Sequence, residues 1–176
     1  MKLDIGCGSN KRTGFYGIDR HPYEGVDMVQ DLTQFPWHIE ADSCTEIYAN
    51  QVIEHMPDLC AFIAEIHRIA ADGCRVTLTT PHYSSHNSWA DPTHIHHLSV
   101  AFCKPFTQGY LAAQLPGFQL SKARITFGSF FWTWPARLIC ALFGYRTYEK
   151  HFCWMFPASS VVVELVVNKT ESQVAE

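Results

Sequence analysis

The chain opens on a short apolar strand that runs directly into a glycine-spaced turn within residues Leu3–Asn10. Gly6 and Gly8 have no Cβ atom, so the backbone can turn sharply there and a ligand can lie against it. The turn lacks the third glycine of the dinucleotide fingerprint and the Lys-Ser/Thr ending of a phosphate-binding loop. Asp4 also places a carboxylate where a phosphate ligand would favour positive potential. We therefore expect a ligand that carries a cation or hydroxyl groups at this turn.

Short apolar runs that recur along the chain predict seven strands. They are Lys2–Ile5, Tyr16–Ile18, Val26–Val29, Glu46–Ala49, Arg75–Thr80, Gln119–Thr126 and Val161–Val167. Apolar residues at helical spacing predict a helix over Asp58–Ala71, between the fourth and fifth strands. Only ten residues separate Ile5 from Tyr16, so we expect the first crossover helix to be shortened or missing. The pattern predicts one α/β domain over residues 1–176, doubly wound and Rossmann-like, with a mostly parallel sheet.

Polar residues stand where the predicted strands end, and ligands of such sheets bind at the carboxyl ends of the strands. Asp19 closes the second strand, where a carboxylate can accept hydrogen bonds from both hydroxyls of a ribose. Asp31 and Leu32 follow the third, where a hydrogen bond to the Asp31 carboxylate and an apolar contact with Leu32 or Trp37 could hold an adenine. We expect one crevice to be faced by these residues, the opening turn, the segment Asn50–His55 and the residues from Pro81 onward.

Composition limits the classes of protein to which this chain can belong. Its 176 residues, 47% of them hydrophobic, suffice for one domain with a substantial core. A formal net charge of -4 gives no general attraction to nucleic acid, so no nucleic-acid partner is expected. The seven cysteines are scattered and form no Cys-x-x-Cys pair, which is typical of a reduced, cytoplasmic protein. Pro135 and Arg137 interrupt the apolar stretch 125–143, and no secretory signal precedes the first strand. We therefore expect no transmembrane helix.

Taken together, the motifs of the first half of the chain resemble the class I S-adenosylmethionine-dependent methyltransferases, particularly the type 11 group. The matching motifs are Leu3–Gly8, Gly17–Asp19, Asp31–Leu32 with Phe35–Trp37, Gln51–Met56, and Glu65–Ile69 through Gly73 into Val76–Pro81. The resemblance implies a seven-stranded sheet whose last strand, Val161–Val167, is antiparallel. It also implies S-adenosylmethionine as cofactor, whose ammonium and sulfonium groups suit an acidic lining.

The resemblance assigns cofactor-binding roles residue by residue. It implies that Asp4, Gly6 and Gly8 border the methionine part, Asp19 the ribose, Asp31 and Leu32 the adenine, and Asn50 or Gln51 the methionine and sulfonium. Most members of this family carry helices before the first strand that help to cover the cofactor, and here the first strand begins at residue 2. We therefore expect the site to be open unless later segments or a second subunit close it.

The segment 82–98 follows the fifth strand and carries half of the chain's ten histidines. In proteins that resemble this chain, substrate-facing elements follow this strand. A neutral imidazole there could remove a proton from an acceptor as the methyl group arrives, with its tautomer fixed by a carboxylate such as Asp91. We expect His94 in this role, with His82 or His86 as the second choice. The predicted function is methyl transfer, most simply to an oxygen, on a small-molecule, glycan or lipid-linked acceptor.

Two alternatives keep the same fold. His86, Asp91, His94 and His96 are plausible zinc or iron ligands, so a metal-dependent enzyme using the His82–His97 cluster is one alternative. Because methyl transfer does not require a metal, we assign no metal ligand. The other alternative is a protein that binds S-adenosylmethionine or a nucleoside, without catalysis, and regulates a partner.

An aromatic insertion, residues 127–157, lies between the last two predicted strands. Such a dense aromatic stretch is typical of core or of a subunit contact, and a homodimer would use it in that way. It could instead form the lid or the substrate side of the site. Arg124, Arg137, Arg146 and Lys150 flank its apolar residues, which leaves peripheral membrane contact as a third role.

Overall fold

The structure is a computed structural model that describes residues 1–111, 117–129 and 131–169. One seven-stranded sheet forms its centre. The strands are β1 (Lys2–Ile5), β2 (Tyr16–Asp19), β3 (Met28–Val29), β4 (Cys44–Asn50), β5 (Ala70–Pro81), β6 (Phe118–Thr126) and β7 (Ser160–Val167). Their order is β3-β2-β1-β4-β5-β7-β6. Strand β7 is antiparallel to both of its neighbours, and the other pairs are parallel. The predicted α/β class and the antiparallel last strand are confirmed.

Four α-helices accompany the sheet in the described residues. They are α1 (Leu59–Ile69), α2 (His86–Ala90), α3 (Lys104–Thr107) and α4 (Trp134–His151), with 3₁₀ turns at Ile53–His55 and Phe131–Thr133. Helix α4 is interrupted at Gly144, whose φ is 79°. None of the helices in the described residues is long and apolar enough to cross a membrane.

Strand ends differ from the prediction where glycine alters the backbone. Strand β5 begins at Ala70, directly after α1, and not at Arg75. Gly73 lies inside it with a φ of 75°, and the pairing of β4 with β5 shifts register there. A residue with positive φ permits this bulge, so the strand continues through a position that resembles a helix stop. At one edge of the sheet, β3 comprises only Met28–Val29.

The connection from β1 to β2 contains no helix, which confirms the shortened first crossover. A polar contact replaces it: Asp4 Oδ2 accepts a hydrogen bond of 2.8 Å from the backbone N–H of Arg12. The Arg12 guanidinium lies 4.0 Å from the centre of the Tyr48 ring, on β4. The loop is thereby held against the sheet by a carboxylate and a cation–π contact.

Helix α1 covers one face of the sheet. It begins after Asp58, whose side chain accepts a hydrogen bond of 2.9 Å from the N–H of Ala61 and so caps the helix. Its apolar side chains are buried against alternate residues of β1, β4, β5 and β7. Residues of this core include Leu3, Ile5, Ile47, Phe62, Ile63, Ile66, Val76, Leu78, Val163 and Leu165. Removing one such large side chain typically costs about 2–5 kcal/mol, so this core fixes the positions of the strand ends.

Candidate active site

A cleft lies at the carboxyl ends of β1, β2 and β4, the edge that the sequence predicts. Its lining residues are Gly6, Gly8, Asp19, Arg20, His21, Tyr23, Asp31, Leu32, Thr33, Gln51, Val52, His55 and Met56. Six of the eight predicted cofactor-binding residues are among them. The exceptions are Asp4 and Asn50.

The floor of the cleft depends on glycine at position 6. Gly6 and Gly8 have φ values of 63° and 53°, a region that side chains other than glycine rarely adopt. A Cβ atom on Gly6 would lie only 2.4 Å from Cγ2 of Val52, the residue that begins the turn after β4. Only glycine at position 6 therefore lets the turn pack against Val52 and leave space for a ligand in the cleft.

Asp19 joins the end of β2 to the glycine turn. Its Oδ2 accepts a hydrogen bond of 2.8 Å from the N–H of Gly8, and its Oδ1 accepts one of 2.9 Å from the N–H of His21. Each carboxylate oxygen has two lone pairs, so both oxygens keep one acceptor position. The carboxylate can thus hold the turn and still accept bonds from two ligand hydroxyls.

The third strand end forms the other side of the cleft. Asp31 Oδ1 accepts hydrogen bonds from the N–H and the hydroxyl of Thr33, at 2.9 and 2.8 Å. These two bonds lower the pKa of the Asp31 carboxyl. Leu32 is buried, and its carbonyl accepts a bond of 3.2 Å from the indole N–H of Trp37. A hydrogen-bond acceptor and an apolar surface therefore lie side by side, and a purine ring can contact both.

Asp4 and Asn50 lie outside the lining of the cleft. Asp4 is 3% exposed and accepts the bond from Arg12 described above. Its burial raises the pKa of its carboxyl. Asn50 is exposed at the end of β4, and the next residue, Gln51, lines the cleft instead. Asp4 thus shapes the turn, and direct contact of Asp4 or Asn50 with a cofactor stays a prediction.

Beyond Gln51 the structure brings together three side chains that the sequence did not associate. Glu54 and His55 follow β4 in a 3₁₀ turn, and His94 comes from the loop after α2. The His55 and His94 rings meet edge to face with centroids 4.6 Å apart. Glu54 Oε1 lies 3.9 Å from Nε2 of His94. The Glu-His pair at a strand end of the predicted crevice was the available signal, since Gln51–Met56 is one of the family motifs.

His94, the first choice for a proton acceptor, does not line the cleft. It contacts His55, which lines the cleft, and it also borders a surface depression with Asn87, Ala90, Asp91 and Pro92. The carbonyl of Ser88 accepts a hydrogen bond of 3.2 Å from Nδ1 of His94. Asp91 Oδ2 is 3.9 Å from Nε2. The tautomer of His94 is therefore fixed by Ser88 rather than by Asp91.

His82, one of the two second choices, is fully buried and does not line the cleft. Its Nδ1 is 2.8 Å from the Ser84 hydroxyl, and its Nε2 is 3.2 Å from Oε1 of Glu149 on α4. The same Glu149 oxygen accepts a bond of 2.7 Å from the N–H of Val100. His82 is placed to attach α4 to the end of β5, with no access to an acceptor molecule.

The four residues considered as metal ligands do not converge. His86 is exposed, and Nε2 of His96 donates to the carbonyl of Met56 at 2.8 Å. Within the described parts of the chain, the group whose donor atoms do converge is Glu54, His55 and His94. These atoms all lie within 4.8 Å of one another.

The aromatic insertion packs against β6. Tyr148 and Ala136 of α4 are buried against Ile125 of β6, and the Tyr148 hydroxyl donates to the carbonyl of Phe156 at 2.6 Å. None of its described residues lines the cleft. A role as lid therefore stays a prediction.

Comparison with known proteins agrees with this geometry. The sequence model of a family described as a methyltransferase domain matches residues 2–123. No curated protein sequence matches the chain.

Solved structures of low sequence identity share the fold. An S-adenosylmethionine-dependent methyltransferase from Archaeoglobus fulgidus is 16% identical, with a TM-score of 0.63 over 93% of this chain and 84% of its own. Phosphoethanolamine N-methyltransferase 2 from Haemonchus contortus, in complex with S-adenosyl-L-methionine, is 14% identical, with a TM-score of 0.62 over 96% of this chain and 49% of its own. A Mesorhizobium loti methyltransferase of the same cofactor dependence is 14% identical, with a TM-score of 0.56 over 93% and 89%.

The lining fits the cofactor of this family. Asp19 keeps acceptor positions for hydroxyls, Asp31 and Leu32 offer an acceptor beside an apolar surface, and the glycine turn leaves its floor open. A matched family model over more than half of the chain, a cleft at the expected strand ends and a seven-stranded sheet with an antiparallel last strand agree with one another. The chain belongs to the S-adenosylmethionine-dependent methyltransferases of the class I fold.

Proposed function

We propose that the methyl group is transferred to an acceptor hydroxyl. The observation that carries this proposal is His55, whose ring lines the cofactor cleft and contacts His94. Nδ1 of His55 donates to the carbonyl of Thr93 at 3.2 Å, which leaves Nε2 as an acceptor. Burial lowers the pKa of His55, so its ring is neutral near pH 7. A neutral imidazole beside the cofactor suits the removal of a hydroxyl proton.

S-adenosylmethionine supplies an already activated methyl group, so the protein's main task is to position the acceptor. Gly6, Gly8, Asp19 and Gln51 are proposed to hold the cofactor. We assign the acceptor side to the surface depression beside Asp91 and His94, because it adjoins the histidine pair. A small hydroxylated molecule or the end of a glycan could enter there.

The surface of α4 supports an acceptor linked to a lipid. Trp134, Leu138 and Leu142 follow at four-residue spacing and are 61%, 47% and 65% exposed. Arg146 and Lys150 lie on the part of α4 that follows the interruption at Gly144. Exposed aromatic and aliphatic residues followed by cations are typical of a surface that contacts a bilayer interface. We propose peripheral membrane contact by this surface, and the seven unpaired cysteines suit a reducing, cytoplasmic location.

The test is to identify the atom that is methylated. The protein is incubated with S-adenosylmethionine labelled with ¹³C at the methyl group and with aqueous and lipid fractions of a cell extract. The carbon shift of the labelled product distinguishes O-methyl from N-methyl and S-methyl groups. We expect an O-methyl product, about 10²–10⁴-fold slower formation by His55→Ala, and no change for His38→Ala, an exposed histidine outside the cleft. A product methylated at nitrogen or sulfur would overturn the proposal.

A further inference from the structure

We propose that Glu54, His55 and His94 form a binding site for a divalent transition-metal ion beside the cofactor cleft. The first observation is an unpaired buried oxygen. Glu54 is fully buried, and its Oε2 accepts a hydrogen bond of 3.0 Å from the Thr80 hydroxyl. Its Oε1 has no hydrogen-bond partner and faces Nε2 of His94 at 3.9 Å. Buried polar atoms are nearly always satisfied, so this oxygen points to a missing partner, either a hydrogen-bond donor or a cation.

The second observation is the orientation of the two imidazoles. Carbonyl oxygens can only accept, so Nδ1 of His94 carries the proton that it shares with Ser88, and Nδ1 of His55 carries the one that it shares with Thr93. Both Nε2 atoms therefore present lone pairs. Metal-binding histidines show this arrangement, since a backbone carbonyl on one nitrogen directs the other toward the ion.

The third observation is convergence. The donor atoms of Glu54, His55 and His94 lie within 4.8 Å of one another, and metal–ligand distances of about 2.0–2.2 Å let small side-chain rotations bring them onto one ion. Two imidazoles and one carboxylate suit zinc, iron(II) or manganese better than magnesium, which favours oxygen. Asp91 Oδ2, also 3.9 Å from Nε2 of His94, is available as a fourth ligand.

Direct pairing of Glu54 with His94 explains the cluster less well. Their separation of 3.9 Å exceeds a hydrogen bond. With Nδ1 bonded to Ser88, a neutral His94 offers Glu54 a second acceptor rather than a donor. At 3.9 Å the two atoms are also too far apart to share one proton, whereas a metal ion between them would satisfy both.

The position of the ion gives it a use. His55 lines the cofactor cleft and His94 lines the acceptor depression, so the ion would lie between the two. An ion there could bind the acceptor oxygen and lower the pKa of its hydroxyl. This use rests on the proposed O-methylation, whereas the binding site itself does not. When the ion is bound, Nε2 of His55 is one of its ligands, so the ion rather than this imidazole would activate the acceptor hydroxyl. It also replaces the metal-free expectation drawn from the sequence.

Zinc binding to the full chain tests the site. Protein freed of metal by chelation and dialysis is titrated with Zn²⁺ in a calorimeter, and with Co²⁺ while visible absorption is recorded. We expect one equivalent in the wild type that is lost, or weakened at least about 10-fold, in Glu54→Gln and His55→Ala. Gln at position 54 can donate to His94 and so keeps the fold. His38→Ala is the matched control and should bind like the wild type.

Equal zinc stoichiometry and affinity in the wild type, Glu54→Gln and His55→Ala would overturn the inference, as would a wild type that binds no zinc. S-adenosylmethionine affinity is measured in parallel on the same metal-free protein. Cofactor binding and O-methylation without zinc binding would contradict the metal site but not the proposed function. Zinc binding that depends on Glu54 and His55, together with an N-methylated product, would support the site and contradict the proposed function.

Discussion

The carboxylate of Asp19 at the end of β2 accepts a hydrogen bond of 2.8 Å from the backbone N–H of Gly8, in the turn after β1. One acidic side chain therefore fixes the turn that forms the floor of the cleft, while it keeps lone pairs for a ligand. This link connects two motifs that stand eleven residues apart in the sequence. It also explains how the turn is held although no helix follows it.

Asp19→Asn should weaken S-adenosylmethionine binding about 10- to 100-fold, because hydrogen bonds to a charged group contribute about 1.5–3 kcal/mol. Calorimetric titration of the cofactor measures this. Asp27→Asn is a matched control, since Asp27 accepts a bond of 2.7 Å from the N–H of Gly17 outside the cleft. Equal losses in the two variants would mean that Asp19 acts only through the loop.

Gly6→Ala should destabilise the fold by more than the strain of positive φ alone. That strain costs about 1–2 kcal/mol, and the new Cβ would lie 2.4 Å from Cγ2 of Val52. Gly14→Ala has the same kind of φ with no atom near its Cβ position, so it measures the strain by itself. Unfolding free energies in denaturant should therefore be lower for Gly6→Ala than for Gly14→Ala. Adding Val52→Ala should remove part of the difference.

Glu149→Ala should loosen α4 without changing cofactor affinity. It removes the partner of buried His82 and of the Val100 N–H, and an unsatisfied buried group costs about 1–3 kcal/mol. Chemical unfolding and cofactor titration together check this, with Lys150→Ala as the exposed neighbour for comparison. Loss of methyl transfer with unchanged stability would instead return His82 to a catalytic role.

His67 should make stability depend on pH. Burial lowers the pKa of this histidine, with Lys169 adding to the effect, and its Nε2 has no hydrogen-bond partner. As the pH is lowered, His67 therefore takes up a proton in the unfolded chain at a higher pH than in the folded chain. The stability that depends on neutral His67 is present above about pH 6.5 and falls as the pH drops toward the pKa of the folded state. In His67→Phe the unfolding free energy should decline less over this window. An unchanged decline would contradict the assignment.

The exposed surface of α4 should bind anionic vesicles. Co-sedimentation with vesicles of phosphatidylglycerol should fall in the variant Trp134→Ser with Leu142→Ser, which removes two side chains that are 61% and 65% exposed. The same surface could instead contact a second copy of the chain. Sedimentation velocity without lipid tests this alternative. If the wild type forms dimers that the variant lacks, and vesicles bind neither protein, the surface is a subunit contact.

The sheet, and the edge of it at which the site lies, could be predicted from the amino-acid pattern. Strands with apolar faces must bury them, and parallel strands bring their carboxyl ends to one edge, so the opening turn, Asp19 and Asp31 had to meet. The shortened first crossover also followed from the small number of residues that connect the first two strands. These conclusions depend only on local pattern and connectivity, which a sequence contains.

Which polar side chains share a site could be seen only in the folded chain. The pattern of histidines could not show that His82 is buried against Glu149, or that His94 meets Glu54 and His55, because these contacts join segments that are 67, 40 and 39 residues apart. Asp4 likewise stands in the motif yet bonds to Arg12 of the loop. Side-chain direction and packing between distant segments depend on the whole fold, and they determine the chemistry at its edge.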